Sequence, residues 1–221
     1  MSLNLNINKQ LLLYLNTRIR PRYKSHDGAH NIEHLDEVLK RALELGKEYG
    51  VDEKYLYVCA YYHDLGLDAG RENHEMVSGR YLRNDKNLRR WFDKDEIELM
   101  AQAVEDHRAS LDGPPRSLLG KIISDADRVM IPQRVIERSL KFNRENNPTL
   151  SNEDLINSVY SYLKKKYGKK GYSKLNLYYL PQIKEQTKLK EILNDFSKFR
   201  TLASQIIKKD HLFPKLKSIM S

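Results

Sequence analysis

The stretch Cys59-Ala60-Tyr61-Tyr62-His63-Asp64-Leu65-Gly66, CAYYHDLG, decides how this chain is read. It has the apolar density of a buried helix end and a glycine placed to stop it. Yet it carries an imidazole and a carboxylate where the core should be. His63 follows Cys59 by four residues and Ala60 by three, which puts it on the apolar face of its helix. Asp64 stands about 100° further round, on the side of Ala60. A buried ionised carboxylate beside an imidazole is costly unless positive charge compensates it. A metal cation would compensate both groups, and so would hydrogen bonds closing a His–Asp pair at a helix end. The dipeptide alone does not decide between them.

Working outward, helical periodicity dominates and neither an alternating strand pattern nor a repeat is found. Helices are expected over 5–19, ended before Pro21, and over 31–49, with the stripe Ile32, Leu35, Val38, Leu39 and Ala42 and a stop at Gly50. The next run is 52–65, with Asp52 as N-cap and Gly66 just past its end. Further helices are expected over 72–84, 93–108 and 116–130, the last ended near Pro132, and then near 151–167 and 184–209. Asp27-Gly28 marks a turn, Gly113-Pro114-Pro115 a firm break, and Asn143–Pro148 a polar break. The fold class is therefore all-α, divided near residue 146 into a core over 1–145 and a helical extension over 146–221.

At 221 residues and 40% apolar, the chain can bury one sizeable core with an appendage. No apolar run reaches the length that spans a bilayer, and the N-terminus lacks the basic region and cleavage site of a signal peptide. A cytoplasmic protein that does not engage a membrane is expected. The lone Cys59 excludes an internal disulfide framework and a thiolate-rich metal site, and reads as a small buried apolar residue. Charge is uneven. Residues 1–143 hold 23 basic and 23 acidic side chains, whereas 144–221 hold 16 and 7, so the whole net +9 sits in the last third. Six of the seven histidines lie between His26 and His107.

Those histidines extend the puzzle of the doublet. His34 shares a stripe with Leu35 and Val38, and His107 follows Met100, Ala103 and Val104 at helical spacing. Asp127 lies between Ile123 and Met130 in KIISDADRVM, and His74 precedes Val77 and Tyr81. Five helices each bringing a His or Asp to the face that should be buried call for a common partner, and a shared metal site provides one. His30 and His34 are spaced as in the zinc-protease pattern H-E-x-x-H, but Asn31 stands where its glutamate would be, so that reading fails at the general base.

The ordered motifs DGAHNIEHLDEV, AYYHDLG, NHEMVSG, EDHR and SDADRV resemble those of the HD-domain superfamily of metal-dependent phosphohydrolases, over roughly residues 25–130. The resemblance implies an HD-domain helical core with additional C-terminal helices. It implies metal ligation by His34, His63, Asp64 and Asp127, with Asp125 a rival for the last place. His74 and His107 occupy positions that bind a second ion in some subfamilies, and His30 and Asp106 can extend the set. Asp68, one residue later after the doublet than the catalytic acid of some relatives, is a catalytic candidate with Asp64 and Arg128; Glu72 and Glu75 are further acids. Arg71, Arg108 and Lys121 are candidates to hold phosphate.

A His/Asp set without cysteine suits one or two divalent ions: Mn, Fe, Co, Ni or Mg, with Zn also compatible. The expected activity is hydrolysis of a nucleotide or related phosphate ester by a metal-activated water. The alternative is an HD protein that binds nucleotide or nucleic acid through the basic extension without turnover. In that extension, residues 160–179 interleave six tyrosines with six lysines. This pattern suits base stacking on a basic groove, and equally a lysine-rich cap whose tyrosines pack on the core. Oligomeric state is not legible.

Overall fold

A computed structural model describes residues 8–26 and 30–209. Among them are ten α-helices and no strand. The first turn expected at residue 5 and the Asp27-Gly28 turn lie outside the described residues.

The chain starts with α1 (Lys9–Tyr14), capped by the Asn8 side chain, which accepts from the backbone N–H groups of Gln10 and Leu11. It continues as a π turn (Leu15–Ile19) and a 3₁₀ segment (Arg20–Ser25). Pro21 does not end the helical path: it occupies the first turn of the 3₁₀ segment, where a missing N–H costs nothing. Then come α2 (Ile32–Tyr49), α3 (Glu53–Tyr62), α4 (His74–Asn84), α5 (Lys94–Glu105) and α6 (Leu118–Asp127). Four of these starts have side-chain caps: Asn31 on α2, Asp52 on α3, an Asp93/Glu96 capping box on α5 and Ser117 on α6. The last four are α7 (Pro132–Asn146), α8 (Asn152–Tyr167), α9 (Leu180–Leu193) and α10 (Phe196–Lys209).

Two compact units result. The first holds the chain to Val129 together with Ser173–Tyr179; the second holds Met130–Tyr172 and the chain from Leu180 onward. In the first, α3 is the central helix. Its run Leu56–Tyr62 is buried at every position, so it shows no amphipathic stripe. Helix α2 packs on α3 and α6, and α5 packs on α3, α4 and α6. Cys59 is a core residue, as expected, with its thiol directed at the Met100 carbonyl (3.7 Å) and its pKa pushed up by burial. In the second unit, α7–α10 pack on one another around Leu140, Leu155, Val159, Leu163, Leu189 and Phe199. Tyr160 stacks there on Phe196 and Phe199 and donates to the Leu193 carbonyl (3.1 Å).

Three features depart from the sequence reading. Pro132 opens α7 rather than marking only an end, since proline is well suited to the first helical position. The helix expected over 184–209 is two helices. Asp195 interrupts it by accepting from the Lys198 N–H, which caps α10. Residues 173–179, numbered within the extension, belong to the first unit.

Helix α3 stops at Tyr62, and His63, Asp64 and a 3₁₀ turn (Leu65–Ala69) lead into α4. Gly66 is required by close approach: a Cβ there would meet the His74 carbonyl oxygen at 2.1 Å and the Ser78 nitrogen at 2.8 Å. Its N–H also donates to Ser78 Oγ (2.8 Å). This contact fixes the start of α4, and with it His74, against the doublet. Gly66→Ala is expected to lower unfolding free energy by about 1–3 kcal/mol, the usual cost of overpacking, read by urea denaturation. An unchanged denaturation midpoint would mean the contact is not tight.

Candidate metal centre

His34 is in the first turn of α2, where its N–H donates to Asn31 Oδ1 (3.1 Å). His63 and Asp64 stand at the C-terminal end of α3, His74 opens α4, His107 follows α5, and Asp127 ends α6. Five separate elements therefore bring these six side chains to one place, as their stripe positions suggested.

Three of the imidazoles, His63, His74 and His107, present Nε2 to the centre because their Nδ1 atoms are occupied. Nδ1 of His63 contacts the Ala60 carbonyl (2.8 Å), that of His107 the Val104 carbonyl (2.6 Å), and that of His74 the Arg71 carbonyl (3.1 Å). A carbonyl only accepts, so each Nδ1 carries the proton and each Nε2 keeps a lone pair in the neutral ring.

Asp64 is the hinge of the arrangement. Its Oδ2 lies 3.1 Å from His63 Nε2 and 3.4 Å from His34 Nε2; its Oδ1 lies 3.4 Å from His74 Nε2 and 3.5 Å from His107 Nε2. His34 Nε2 also lies 3.1 Å from Asp127 Oδ1. Among the described residues, two sets can each hold a metal ion: His34, His63 and Asp127, and Asp64, His74 and His107. Asp64 has one oxygen turned towards each.

Two observations fit these residues to cations. Nε2 atoms approach one another at 3.3 Å in both His34–His63 and His74–His107. Two neutral rings with lone pairs facing gain nothing from that approach, whereas a shared positive ion stabilises it. Second, Asp64 Oδ2 is a buried oxygen with no hydrogen bond, which is costly for a carboxylate unless a charge faces it. Burial raises the Asp64 pKa, but the imidazoles of His63, His107 and His34 against it outweigh burial and hold the carboxyl well below its usual range. Asp127 is also lowered: burial opposes ionisation, and the His34 imidazole against it prevails. The site is shielded on one side and open on the other. His34, His63, Asp64 and His107 are almost fully buried, while the side chains of His74 and Asp127 are 13% and 24% exposed.

The remaining candidates take other positions. Asp125, the rival of Asp127, faces away from the histidines. It accepts from the Asn176 and Leu177 N–H groups (2.9 and 2.8 Å) and from the Asn176 side chain (2.7 Å). Arg128 is buried, its guanidinium on Ser124 and Asp125. Asp68 pairs with Arg22 and accepts from Tyr81 (3.0 Å). Asp106 accepts from the backbone and guanidinium of Arg116 (2.7 and 2.9 Å). His30 lies with its ring 5.8 Å from that of His34. Arg71 and Glu72 are exposed beside His74, and Arg108 reaches Glu75 (3.3 Å) next to it. Lys121 is partly exposed on α6.

Sequence reasoning missed Tyr23. It is fully buried, and its hydroxyl meets the Tyr61 carbonyl (3.2 Å), the Asp64 N–H (3.4 Å) and His63 Nδ1 (3.5 Å). One phenol thus braces both residues of the doublet. Nothing local in RYKSH marks this, because its partners lie about forty residues away.

No curated protein matches the chain. The fold is similar to the crystal structure of a predicted HD superfamily hydrolase from an uncultured Thermotogales bacterium, with a TM-score of 0.52 and 22% identity. The match covers 89% of this chain and 93% of that one, so the likeness in fold includes the C-terminal helices. The HD domain family matches residues 31–130, which contain His34, the His63-Asp64 doublet, His74, His107 and Asp127. The chain carries an HD domain over those residues.

Proposed function

We propose that this protein is a metal-dependent phosphohydrolase acting on a nucleotide or related phosphate ester, whose two His/Asp sets would each hold a divalent ion. The single observation that carries the reading is the split of the Asp64 carboxylate between two His/Asp sets. His34, His63 and Asp127 would hold one ion, and His74 and His107 the other. Such ions, when bound, supply Lewis acidity: a water nucleophile at neutral pH and charge stabilisation at a phosphoryl group.

The chain's own side chains do the rest. The carbonyls of Ala60, Val104 and Arg71 fix the tautomers of His63, His107 and His74, so the donor atoms need no reorganisation. Tyr23 holds the doublet in register, and the packing behind His34 and His107 keeps bulk water from that side. Substrate approaches past His74 and Asp127, where the site is open. Arg71 and Arg108 stand at that edge and suit the non-reacting phosphate oxygens.

A second reading rests on the extension. Tyr162 and Tyr172 keep 46% and 43% of their surface exposed, amid the lysines that carry the net charge. This suits a nucleic-acid backbone. Tyr160 and Tyr167, however, are packing residues, with Lys164 and Lys166 over their rings. That favours tyrosines packed within their own helical unit over an open stacking platform.

Phosphate or nucleotide release from a panel of nucleotides and dinucleotides is the test. Turnover with Mn²⁺ is expected, lost with chelator and lost in Asp64→Ala. Salt-dependent nucleic-acid binding by metal-loaded protein with no turnover would overturn the enzyme reading. Tyr23→Phe is expected to remain folded and to bind Mn²⁺ about tenfold more weakly, as loss of a ligand's supporting hydrogen bond does. Titration calorimetry reads this directly, and unchanged affinity would show that Tyr23 only fills space.

A further inference from the structure

The carboxylate of Asp125 is fully buried on α6, two residues before Asp127. Just past the end of α6, Arg128 contacts it at 3.2 Å. Other donors come from far along the chain: the N–H of Asn176 at 2.9 Å to both oxygens, the N–H of Leu177 at 2.8 Å, and the Asn176 side-chain amide at 2.7 Å. The same segment is anchored further on. Tyr49 donates to the Tyr178 carbonyl (2.8 Å), and Leu177 and Tyr179 pack on the core. Residues 173–179 thus form a strap across the first unit, although the chain on both sides of them belongs to the second.

We propose that Asn176 and Asp125 are positioning residues for Asp127. The strap clamps the last turn of α6, and that turn carries the one carboxylate of the His34–His63 set. Three observations support this. The clamp consists of charge-assisted bonds to a buried group, the strongest ordinary kind. Asp125 and Asp127 share one helical turn, so displacement of one moves the other. And α6 ends at Asp127, where no further helical turn would hold that residue in place. The last third of the chain is then part of the support of the metal centre. The inference rests on the ligand roles proposed above for His34, His63 and Asp127. Its readout is metal binding and strap protection, not turnover.

The test uses the full chain and Mn²⁺. Asn176→Ala removes the side-chain donor alone and is expected to weaken Mn²⁺ binding several-fold. Asp125→Asn is expected to weaken it about tenfold or more, within the range found for supporting residues. Tyr178→Ala, at a position 74% exposed, alters the strap without touching Asp125 and is expected to leave affinity unchanged. Linkage requires the reciprocal effect in the unmutated protein: Mn²⁺ should slow hydrogen exchange at the Asn176 and Leu177 amides. This arm needs no variant, so misfolding of a variant does not obscure the answer. Wild-type Mn²⁺ affinity in folded Asn176→Ala, with exchange at those amides indifferent to Mn²⁺, would overturn the proposal. Should the protein bind Mn²⁺ with linkage to the strap yet hydrolyse nothing, the inference stands and the phosphohydrolase reading falls.

Discussion

A carboxylate almost fully buried, with imidazoles around both of its oxygens, is the constraint on which this structure depends. Asp64 cannot be left alone where it is: a buried charge needs compensation worth several kcal/mol. Every element near it is placed so that compensation can arrive. The first turn of α2, the start of α4, the end of α5 and the end of α6 converge there, each through a single polar side chain, and the end of α3 adds His63 beside Asp64 itself. These residues weaken an apolar core, and they make sense together only around positive charge.

The surrounding packing holds that convergence. Gly66 lets the backbone of α4 come against the turn after the doublet. Gly79 does the same against Glu105: a Cβ there would meet that side chain at 2.6 Å. Glu105 cannot move aside cheaply, because it is buried and held by Arg83 and Arg116. Helices α4 and α5 are therefore locked together, with His74 at the start of one and His107 at the end of the other. The spacing of that histidine pair follows from backbone packing.

Much of this was legible in the sequence, because ligands on helices obey helical spacing. The inward positions of His34, His63, Asp64, His107 and Asp127 follow from their neighbours at three and four residues. The cap Asp52 and the break at Gly113-Pro114-Pro115 are local and equally readable. What escaped was long-range. Asp125 and Asp127 lie about 200° apart on one helix, and spacing alone cannot say which side faces the histidines. The answer comes from Asn176, some fifty residues on. The strap has no periodicity, because its shape is set by the carboxylate it binds. Pro132 was ambiguous for another reason: proline follows one helix as readily as it begins the next.

The central claim is that the two His/Asp sets joined by Asp64 would each hold an ion. The measurement that tests it most directly is electron paramagnetic resonance of the Mn²⁺-loaded protein, with bound metal counted in the same sample. The account predicts two Mn²⁺ per chain and the spectrum of a coupled pair, reduced to a single uncoupled Mn²⁺ in His74→Ala. One ion per chain in the unaltered protein, or two giving only isolated Mn²⁺ signals, would contradict it.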